Sequence, residues 1–285
     1  KALEEQLRKL AFHDPLTLLA NRSLFWNRVE HALALAQRTT QRVAVMFLDL
    51  DNFKNVNDSL GHDAGDRLLQ AAAQRLVKST RPSDTVARLG GDEFAILLEG
   101  IGNDLDVERV ATPISAAFNR PLLLGGREIE ATASIGVACS RPGDDAEQLL
   151  RNADIAMYGA KAAGKARLVV FQPHMQEQLH DRLRLEQDID LGLAQDEFFL
   201  EFQPVVDLTS RELLGVEALL RWNHPRRGIV MPSDFIPIAE ESGRIVELGR
   251  RVLVEACRQV RAFSESIPAG TGLRVAVNIS GRHLQ

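Results

Sequence analysis

Acidic side chains at the end of one apolar segment and at the start of another are the residues most able to do chemistry. The run VAVMFLDLD ends in Asp49 and Asp51, and the stretch RLGGDEF places Asp92 and Glu93 directly after two glycines. A continuous apolar run is typical of a strand covered on both faces. Gly-Gly suits a two-residue hairpin, because primed turns need positive φ. The pattern predicts carboxylates from two neighbouring strands at one sheet edge, although such a turn can also be merely solvated.

Converging carboxylates need a compensating charge. At ~4 Å and an effective dielectric of ~20, each pair costs on the order of 4 kcal/mol. Mg²⁺ is the hard cation that oxygen ligands hold while leaving positions for phosphate. Lys54, Lys161 and Lys165 recur where helices would bring them near this edge, so the pattern indicates metal-assisted phosphoryl or nucleotidyl transfer. The alternative for the last two is that they are solvated charges at a helix end.

Composition bounds the class of protein. The 285 residues, 45% hydrophobic and 26% charged, predict about two globular domains. The formal net charge of −5 argues against a nucleic-acid partner. The only cysteines, Cys139 and Cys257, fit a reducing, cytoplasmic location. No apolar run reaches about 18 residues, so no membrane span is expected within this segment. Because the chain starts at Lys1 and not at Met, we interpret it as a piece of a longer protein.

Periodicity predicts the element order strand, helix, hairpin, helix, strand, helix, which indicates an α/β fold with helices on a mixed sheet. Ser23 is the predicted cap of a helix that runs to Ala36. An alternating strand is predicted to place these residues on one face: Ile129, Ala131, Ala133, Ile135 and Val137. A late helix is predicted to bury these residues: Leu149, Ala153, Ala156 and Ala160. Three regions are expected: an N-terminal helix or linker over 1–13, a first domain over 14–173 and a second over 180–285.

Four motifs carry a family resemblance. In chain order they are DPLTLLANR, FLDLDNFKNVNDSLGHDAGD, RLGGDEF and ADIAMYGAKAAGK. Over residues 10 to 172 the chain resembles the GGDEF family of diguanylate cyclases, which condense two GTP molecules into cyclic di-GMP and release two pyrophosphates. The resemblance implies a GGDEF-type mixed sheet flanked by helices. It also implies a homodimer, because each GTP supplies the nucleophile for the other.

The resemblance assigns roles around the metal. Asp49 and Asp92 would bind Mg²⁺ or Mn²⁺ together with the backbone carbonyl of Leu50. Glu93 would support the metal site and help to deprotonate the attacking 3′-hydroxyl. The backbone would approach the nucleotide closely at two glycines, Gly90 and Gly91.

The resemblance also assigns the nucleotide contacts. Asn57 and Asp66 would read guanine. The phosphates would be held by three lysines, Lys54, Lys161 and Lys165. From the residues alone, Asn57 could instead belong to a turn pair with Asp58, and Asp66 could cap a helix.

The segment RPSD, with Arg81 and Asp84, matches the family's inhibitory site for its product, so feedback inhibition by cyclic di-GMP is expected, relieved in Arg81→Ala. The alternative is a surface ion pair worth ~0–1 kcal/mol.

The chain departs from the family at two places. Gly and Pro are typical where this chain has Leu18 or Leu19 and Ala20, and Arg-Asn is frequent where it has Lys165-Ala166. Lysine lacks the bidentate fork of arginine, which predicts a weaker grip on phosphate.

The second segment, with FQPVVDL, GVEALLRWNHP and VAVNIS, resembles the EAL family of cyclic di-GMP phosphodiesterases, which are TIM-like barrels. Glu217 and Asn278 would be metal ligands, and Gln203 and Arg221 would contact cyclic di-GMP. A charged strand end and a strand-terminal cap are the alternatives for the first two. Such a barrel needs about 250 residues, so we expect this polypeptide to hold only part of it and not to hydrolyse cyclic di-GMP.

The sequence leaves two functions open. One is a diguanylate cyclase joined to an EAL phosphodiesterase domain. The other is a catalytically weak module that binds GTP or cyclic di-GMP and regulates that phosphodiesterase. An upstream sensor domain is expected in either case, and the full-length protein could be membrane-anchored upstream.

Overall fold

The structure divides the chain into two units. The computed structural model describes these residues: 11–39, 41–102, 104–118, 121–124, 127–129, 131–265 and 273–284. The first unit runs to Glu177 and the second begins at Gln178. The N-terminal helix expected over 1–13 lies almost entirely outside the described residues.

Five helices and seven strands of the first unit are described. The helices are α1 (Arg22–Ala36), α2 (Phe53–Leu60), α3 (His62–Ser79), α4 (Asp104–Phe118) and α5 (Ala146–Ala162). The strands are β1 (Arg42–Leu50), β2 (Thr85–Gly90), β3 (Glu93–Ile101), β4 (Leu122–Leu124), β5 (Arg127–Ile129), β6 (Ala133–Cys139) and β7 (Leu168–Val170).

A five-stranded mixed sheet forms the centre of this unit, in the order β2-β3-β1-β6-β7. The β6–β7 pair is parallel, and the other pairs are antiparallel. Alternate residues of β1 enter different cores. Met46 and Leu48 pack with α3 and α4, whereas Val43 and Val45 pack with α1 and α5. The sheet is therefore covered on both faces, as the apolar run of β1 predicts.

Helix α5 packs unusually close to the sheet. A Cβ atom on Gly136 of β6 would lie 2.0 Å from the Met157 nitrogen and 2.3 Å from the Ala153 carbonyl oxygen. Only glycine fits this contact, because a side chain cannot share space with backbone atoms. The residues predicted to form the buried side of α5 are all buried: Leu149, Ala153, Ala156 and Ala160.

Two local predictions are wrong. Asn21, and not Ser23, caps α1, since its side chain accepts the Leu24 N–H at 3.0 Å. The alternating strand is broken, because β5 ends at Ile129 and β6 begins at Ala133. Its other four apolar residues still share one core: Ala131, Ala133, Ile135 and Val137.

The second unit is built around one long strand. Its elements are α6 (His174–Ala194), which starts just before the division, β8 (Phe198–Val206), β9 (Leu213–His224), β10 (Gly228–Val230), α7 (Pro232–Glu241), α8 (Ile245–Glu265) and β11 (Arg274–Val277). A short 3₁₀ helix follows at Gly281–Leu284. Strand β9 pairs antiparallel with β8 and β10 and parallel with β11. Trp222 is fully buried, stacks on Phe198 and donates to Glu197 at 2.9 Å.

Across the described ranges, every helix is too short or too polar to cross a lipid bilayer.

Candidate active site

Two acidic residues face each other at one end of the central sheet. Asp49 of β1 and Glu93 of β3 are direct cross-strand partners, a relation that brings Cβ atoms to about 4.5–5.5 Å. Asp92 lies in the adjoining turn, where its carbonyl oxygen accepts the Leu50 N–H at 3.3 Å. The structure thus brings together all four residues that were predicted for the metal position.

The hairpin turn differs by one residue from the expected one. Gly90 already pairs with Glu93, so the two turn residues are Gly91 and Asp92. Gly91 has φ +51° and Gly90 φ +148°, and open space surrounds both Cβ positions. The turn therefore presents bare backbone beside the acidic pair.

Lys161 of α5 is the cation nearest to Asp49, with its Nζ atom 2.7 Å from the Asp49 Oδ2. Desolvation by burial raises the pKa of Asp49, and the neighbouring charges of Asp92 and Asp51 raise it further, while Lys161 opposes them. A carboxylate in this setting favours a cation strongly, because its charge is poorly solvated.

Glu93 has a similar environment. Burial raises the pKa of Glu93, the charges of Asp49 and Asp154 add to the effect, and Arg22 and Lys161 oppose it. The Arg22 guanidinium lies 3.6 Å from the Glu93 carboxylate.

A cavity of about 360 Å³ opens beside Glu93, with Trp26 of α1 among its lining residues. Trp26 is 39% exposed.

The other two lysines lie on separate segments at the same end of β1. Lys165, in the loop after α5, donates from Nζ to the Asn52 Oδ1 at 2.9 Å, and Asn52 follows β1. Lys54 is exposed in the first turn of α2. Lys161 and Lys165 are therefore both held at the β1 end by side-chain partners.

Helices α2 and α3 place the predicted guanine contacts. Asn57 lies within α2, and Asp66 lies within α3, whose N-cap is Gly61, so the turn-pair and helix-cap alternatives are both wrong. A Cβ atom on Gly65 would lie 2.0 Å from the Asn57 Oδ1. This glycine therefore leaves the room that the Asn57 side chain occupies, next to the exposed Asp66.

The sequence analysis did not find the hydrogen bonds by which Arg88 holds the hairpin. Arg88 donates from Nε and Nη2 to the Gly91 carbonyl oxygen at 3.0 and 2.7 Å. Its Nη1 donates to both Asp14 carboxylate oxygens at 3.2 and 3.1 Å. Burial alone would raise the pKa of Asp14, but hydrogen bonds from Thr17 and Arg88 outweigh it and lower that pKa. Both residues lie inside quoted motifs, DPLT and RLGG, but only the fold shows that they meet.

From its position at the end of the apolar run, Asp51 was predicted to emerge beside Asp49. The structure shows that it does not. It is 8% exposed, and its carboxylate accepts hydrogen bonds from the Ser134 and Thr132 hydroxyls and from the Ala166 N–H. The first residue after a strand is free of the period-2 alternation, so its direction is set by local contacts.

Arg81 and Asp84 form a tight turn between α3 and β2. The Asp84 carboxylate accepts the Arg81 N–H at 2.9 Å, and the Asp84 N–H donates to the Arg81 carbonyl oxygen at 3.0 Å. The Asp84 carboxylate thus bonds backbone at this turn, and Arg81 is exposed.

The second unit brings together three of the four polar residues predicted there. Glu217 of β9 faces Gln203 of β8 across the ladder, and the Asn278 amide donates to the Glu217 Oε1 at 2.8 Å. Arg221, further along β9, donates from Nε to the Glu201 carboxylate at 2.8 Å.

Within the part of the chain that the structure describes, no three His, Cys, Asp or Glu side chains converge as a metal-binding group. The carboxylates of Asp49, Asp92 and Glu93 supply oxygen donors at this end of β1 and β3. That donor set suits a hard cation that retains water and phosphate ligands.

The first unit has a mixed α/β sheet, a glycine hairpin, converging lysines and an acidic edge, which is formed by Asp49, Asp92 and Glu93. Together these features define its class. The family description "Diguanylate cyclase, GGDEF domain" matches residues 11–167, and the "EAL domain" description matches residues 184–285. The chain therefore belongs to the GGDEF family and carries an EAL domain after the GGDEF domain.

Two similar proteins are named for enzymes of cyclic di-GMP turnover. The chain is 41% identical over 277 residues to the bifunctional diguanylate cyclase/cyclic di-GMP phosphodiesterase MucR of Pseudomonas aeruginosa, covering 96% of this chain and 40% of MucR. It is 38% identical over 282 residues to the cyclic di-GMP phosphodiesterase PdeR of Escherichia coli, covering 99% of this chain and 42% of PdeR. The chain thus spans about two fifths of these relatives.

Solved structures match the first unit. The GGDEF domain of TpbB (YfiN) from Pseudomonas aeruginosa is 39% identical, with a TM-score of 0.57, over 59% of this chain and 99% of that domain. The coiled coil and GGDEF domain of DgcB from Caulobacter crescentus, in complex with cyclic di-GMP, is 29% identical, with a TM-score of 0.55, over 59% of this chain and 90% of that one. The expected GGDEF-type fold is confirmed.

Proposed function

We propose that the first unit is a diguanylate cyclase that condenses two GTP molecules into cyclic di-GMP and two pyrophosphates. One observation carries the proposal: Asp49 and Glu93 face each other across β1 and β3, with Lys161 on Asp49 and Asp92 in the adjoining turn. A site of this kind neutralises a triphosphate and aligns it, which is most of what phosphoryl transfer needs.

Different residues would bind the metal and the phosphates. Asp49, Asp92 and the Leu50 carbonyl would hold Mg²⁺ or Mn²⁺, which when bound supplies positive charge to the triphosphate. The phosphates would be gripped by three lysines, Lys54, Lys161 and Lys165. The Gly91 turn lets the phosphate chain lie against backbone.

Glu93 is the candidate base for the attacking 3′-hydroxyl. Its pKa is raised by burial, and a carboxylate with a raised pKa accepts a proton more readily. Asn57 and Asp66 would read guanine from α2 and α3. An aspartate accepts hydrogen bonds from the N1–H and N2–H donors of guanine, which adenine does not present in that pattern.

Turnover with GTP and Mg²⁺, followed by chromatography of the nucleotides, tests the activity. We expect cyclic di-GMP from the unchanged chain and a loss of about 10²-fold or more in Asp92→Ala, because removing a group that stabilises transition-state charge costs this much. Glu108→Ala removes an exposed carboxylate from α4 and should leave the rate unchanged. Equal rates in Asp92→Ala and the unchanged chain would overturn the assignment.

A second candidate function is favoured by one observation. Ala166 has φ +49° at a position where the family resemblance expects Asn, a residue that tolerates this conformation. A strained loop beside Lys165 would suit a module that binds GTP or cyclic di-GMP without turnover and regulates the EAL domain. Calorimetric binding of GTP in the absence of product formation would select this function.

We also propose that Arg81 and Asp84 form an inhibitory site for cyclic di-GMP. Arg81→Ala should raise the product concentration that gives half-inhibition by about tenfold, the effect of losing roughly 1.4 kcal/mol of binding. Lys78→Ala, which removes an exposed charge from the last turn of α3, should leave it unchanged. Inhibition curves that coincide for Arg81→Ala and the unchanged chain would rule out this site.

For the second unit we propose a contribution to an EAL phosphodiesterase site, and not hydrolysis of cyclic di-GMP by this chain alone. Glu217 and Asn278 would contribute metal ligands, and Gln203 and Arg221 would contact cyclic di-GMP. The grouping of Gln203, Glu217 and Asn278 on β8, β9 and the end of β11 supports the proposal.

A further inference from the structure

The loop that carries Lys165 is strained. Gly164, Lys165 and Ala166 follow one another with φ values of +109°, +61° and +49°. Two consecutive non-glycine residues in this region persist only where surrounding contacts over-determine their conformation. Some group outside the loop must therefore hold it.

Asp51 supplies that contact. Its Oδ2 atom accepts the Ala166 N–H at 3.0 Å and the Thr132 hydroxyl at 2.7 Å, and its Oδ1 accepts the Ser134 hydroxyl at 2.7 Å. Its own N–H donates to the Thr132 carbonyl oxygen at 2.9 Å. A buried carboxylate is tolerated only when it is well hydrogen-bonded, and here one of its donors comes from the Lys165 loop.

The neighbouring contacts lead to the same segment. Lys165 donates to the side chain of Asn52, the residue after Asp51, at 2.9 Å. Lys161, in the last turn of α5, is paired with Asp49. The end of β1 therefore holds α5 and its following loop at successive points, through Asp49, Asp51 and Asn52.

We propose that Asp51 is a positioning residue for nucleotide binding. By accepting the Ala166 N–H, it holds the loop in the conformation that keeps Lys165 at the acidic edge. This inference rests on the proposed function, because Lys165 is proposed there to bind phosphate. Asp51 touches neither nucleotide nor metal, and it acts through Lys165.

A double-mutant cycle tests the coupling. Asp51→Ala should raise the KM for GTP about tenfold with kcat within about threefold, because loss of uniform binding changes KM alone. Lys165→Met should do the same. The double variant should be no worse than Lys165→Met, because Asp51 has nothing left to position. If the two fold-changes multiply instead, or if Asp51→Ala leaves KM unchanged, the inference is wrong.

Two controls separate positioning from stability. The KM of Asp51→Asn should stay near that of the unchanged chain. Its side chain keeps an oxygen that accepts the Ala166 N–H, and its NH₂ group donates to the Ser134 hydroxyl. Thr132→Val removes a hydroxyl from Asp51 but leaves the loop bond, so it should lower the Tm without raising KM. A KM that rises in Thr132→Val as in Asp51→Ala would indicate a purely structural role. Should Asp51→Ala not fold, Asp51→Ser, too short to reach Ala166, replaces it with the same expectation.

Calorimetric affinity for GTP with Mg²⁺ distinguishes the two possible failures. If the unchanged chain binds no GTP, the proposed function fails, and the inference fails with it. If the unchanged chain binds GTP and Asp51→Ala binds it equally well, only the inference fails.

Discussion

Single residues decide how the family pattern is realised in this chain. Of the two leucines at the expected glycine position, Leu18 has φ +61° and is 76% exposed. This residue, and not Leu19, therefore occupies the position where glycine is typical. A leucine in the left-handed region costs roughly 1–2 kcal/mol, with no buried contact to offset it.

Leu18→Gly should therefore stabilise the protein. The relief of strain exceeds the extra chain entropy of glycine, and the net gain is about 0.5–1 kcal/mol. Thermal unfolding should show a Tm higher by a few °C. Leu35→Gly is the matched control: Leu35 is also exposed, at 51%, but lies within α1, so this change should lower the Tm. A lower Tm in Leu18→Gly would contradict the inference that the backbone is strained at Leu18.

The sequence predicted some of these residue-scale features and could not predict others. The acidic pair followed from strand ends and a glycine turn. The inward direction of Asp51 did not, because it depends on a turn in which Asn52 has φ +59°. Asn21 and Ser23 are both good helix caps by type. Asn21 caps because it is also anchored: its amide donates to the Ala11 carbonyl oxygen at 2.8 Å.

Among the elements, α5 matters most to the site, since it carries Lys161 and leads into the Lys165 loop. Its approach to β6 at Gly136 fixes how far Lys161 lies from Asp49. Long periodic segments such as α5 and β1 were predictable because apolar spacing persists over several turns or pleats. The three-residue strands β4, β5 and β10 were not, because three residues carry no recognisable period.

Gly136→Ala should push α5 away from the sheet. The added methyl meets backbone atoms that cannot turn aside, so we expect a loss of stability of about 1–3 kcal/mol and weaker GTP binding. Gly159→Ala, within α5, meets only Val169 Cγ1 at 3.9 Å and should raise stability by up to about 1 kcal/mol. Urea unfolding and calorimetry with GTP measure both changes. Normal GTP affinity in a folded Gly136→Ala variant would show that the packing of α5 against β6 does not control GTP binding.

At the scale of the whole molecule, the proposed reaction needs two copies of the first unit. Each GTP must supply a 3′-hydroxyl to the other, so one site cannot complete the product alone. The two-domain organisation could be predicted from length and motifs. The apolar runs of β8 and β9 in the second unit predicted strands, but the way these strands combine into a sheet followed only from the family resemblance.

The specific activity should therefore fall on dilution. Below the dimer dissociation constant the rate per chain becomes proportional to chain concentration, because paired sites become scarce. Initial rates at saturating GTP over a hundredfold range of concentration measure this. A mixture of Asp92→Ala with the unchanged chain should lose more activity than simple dilution explains, because mixed pairs hold one defective site. A constant rate per chain at all concentrations would point to a single-copy mechanism.

The placement of the only two tryptophans has a practical consequence. Trp26 is partly open to water beside the acidic edge, whereas Trp222 is sealed in the aromatic core of the second unit. Indole emission shifts to longer wavelength when the ring meets water, so the two rings should emit at different wavelengths. One spectrum then carries an optical reporter for each half of the chain, and Trp26→Phe or Trp222→Phe would leave a single signal from the other half.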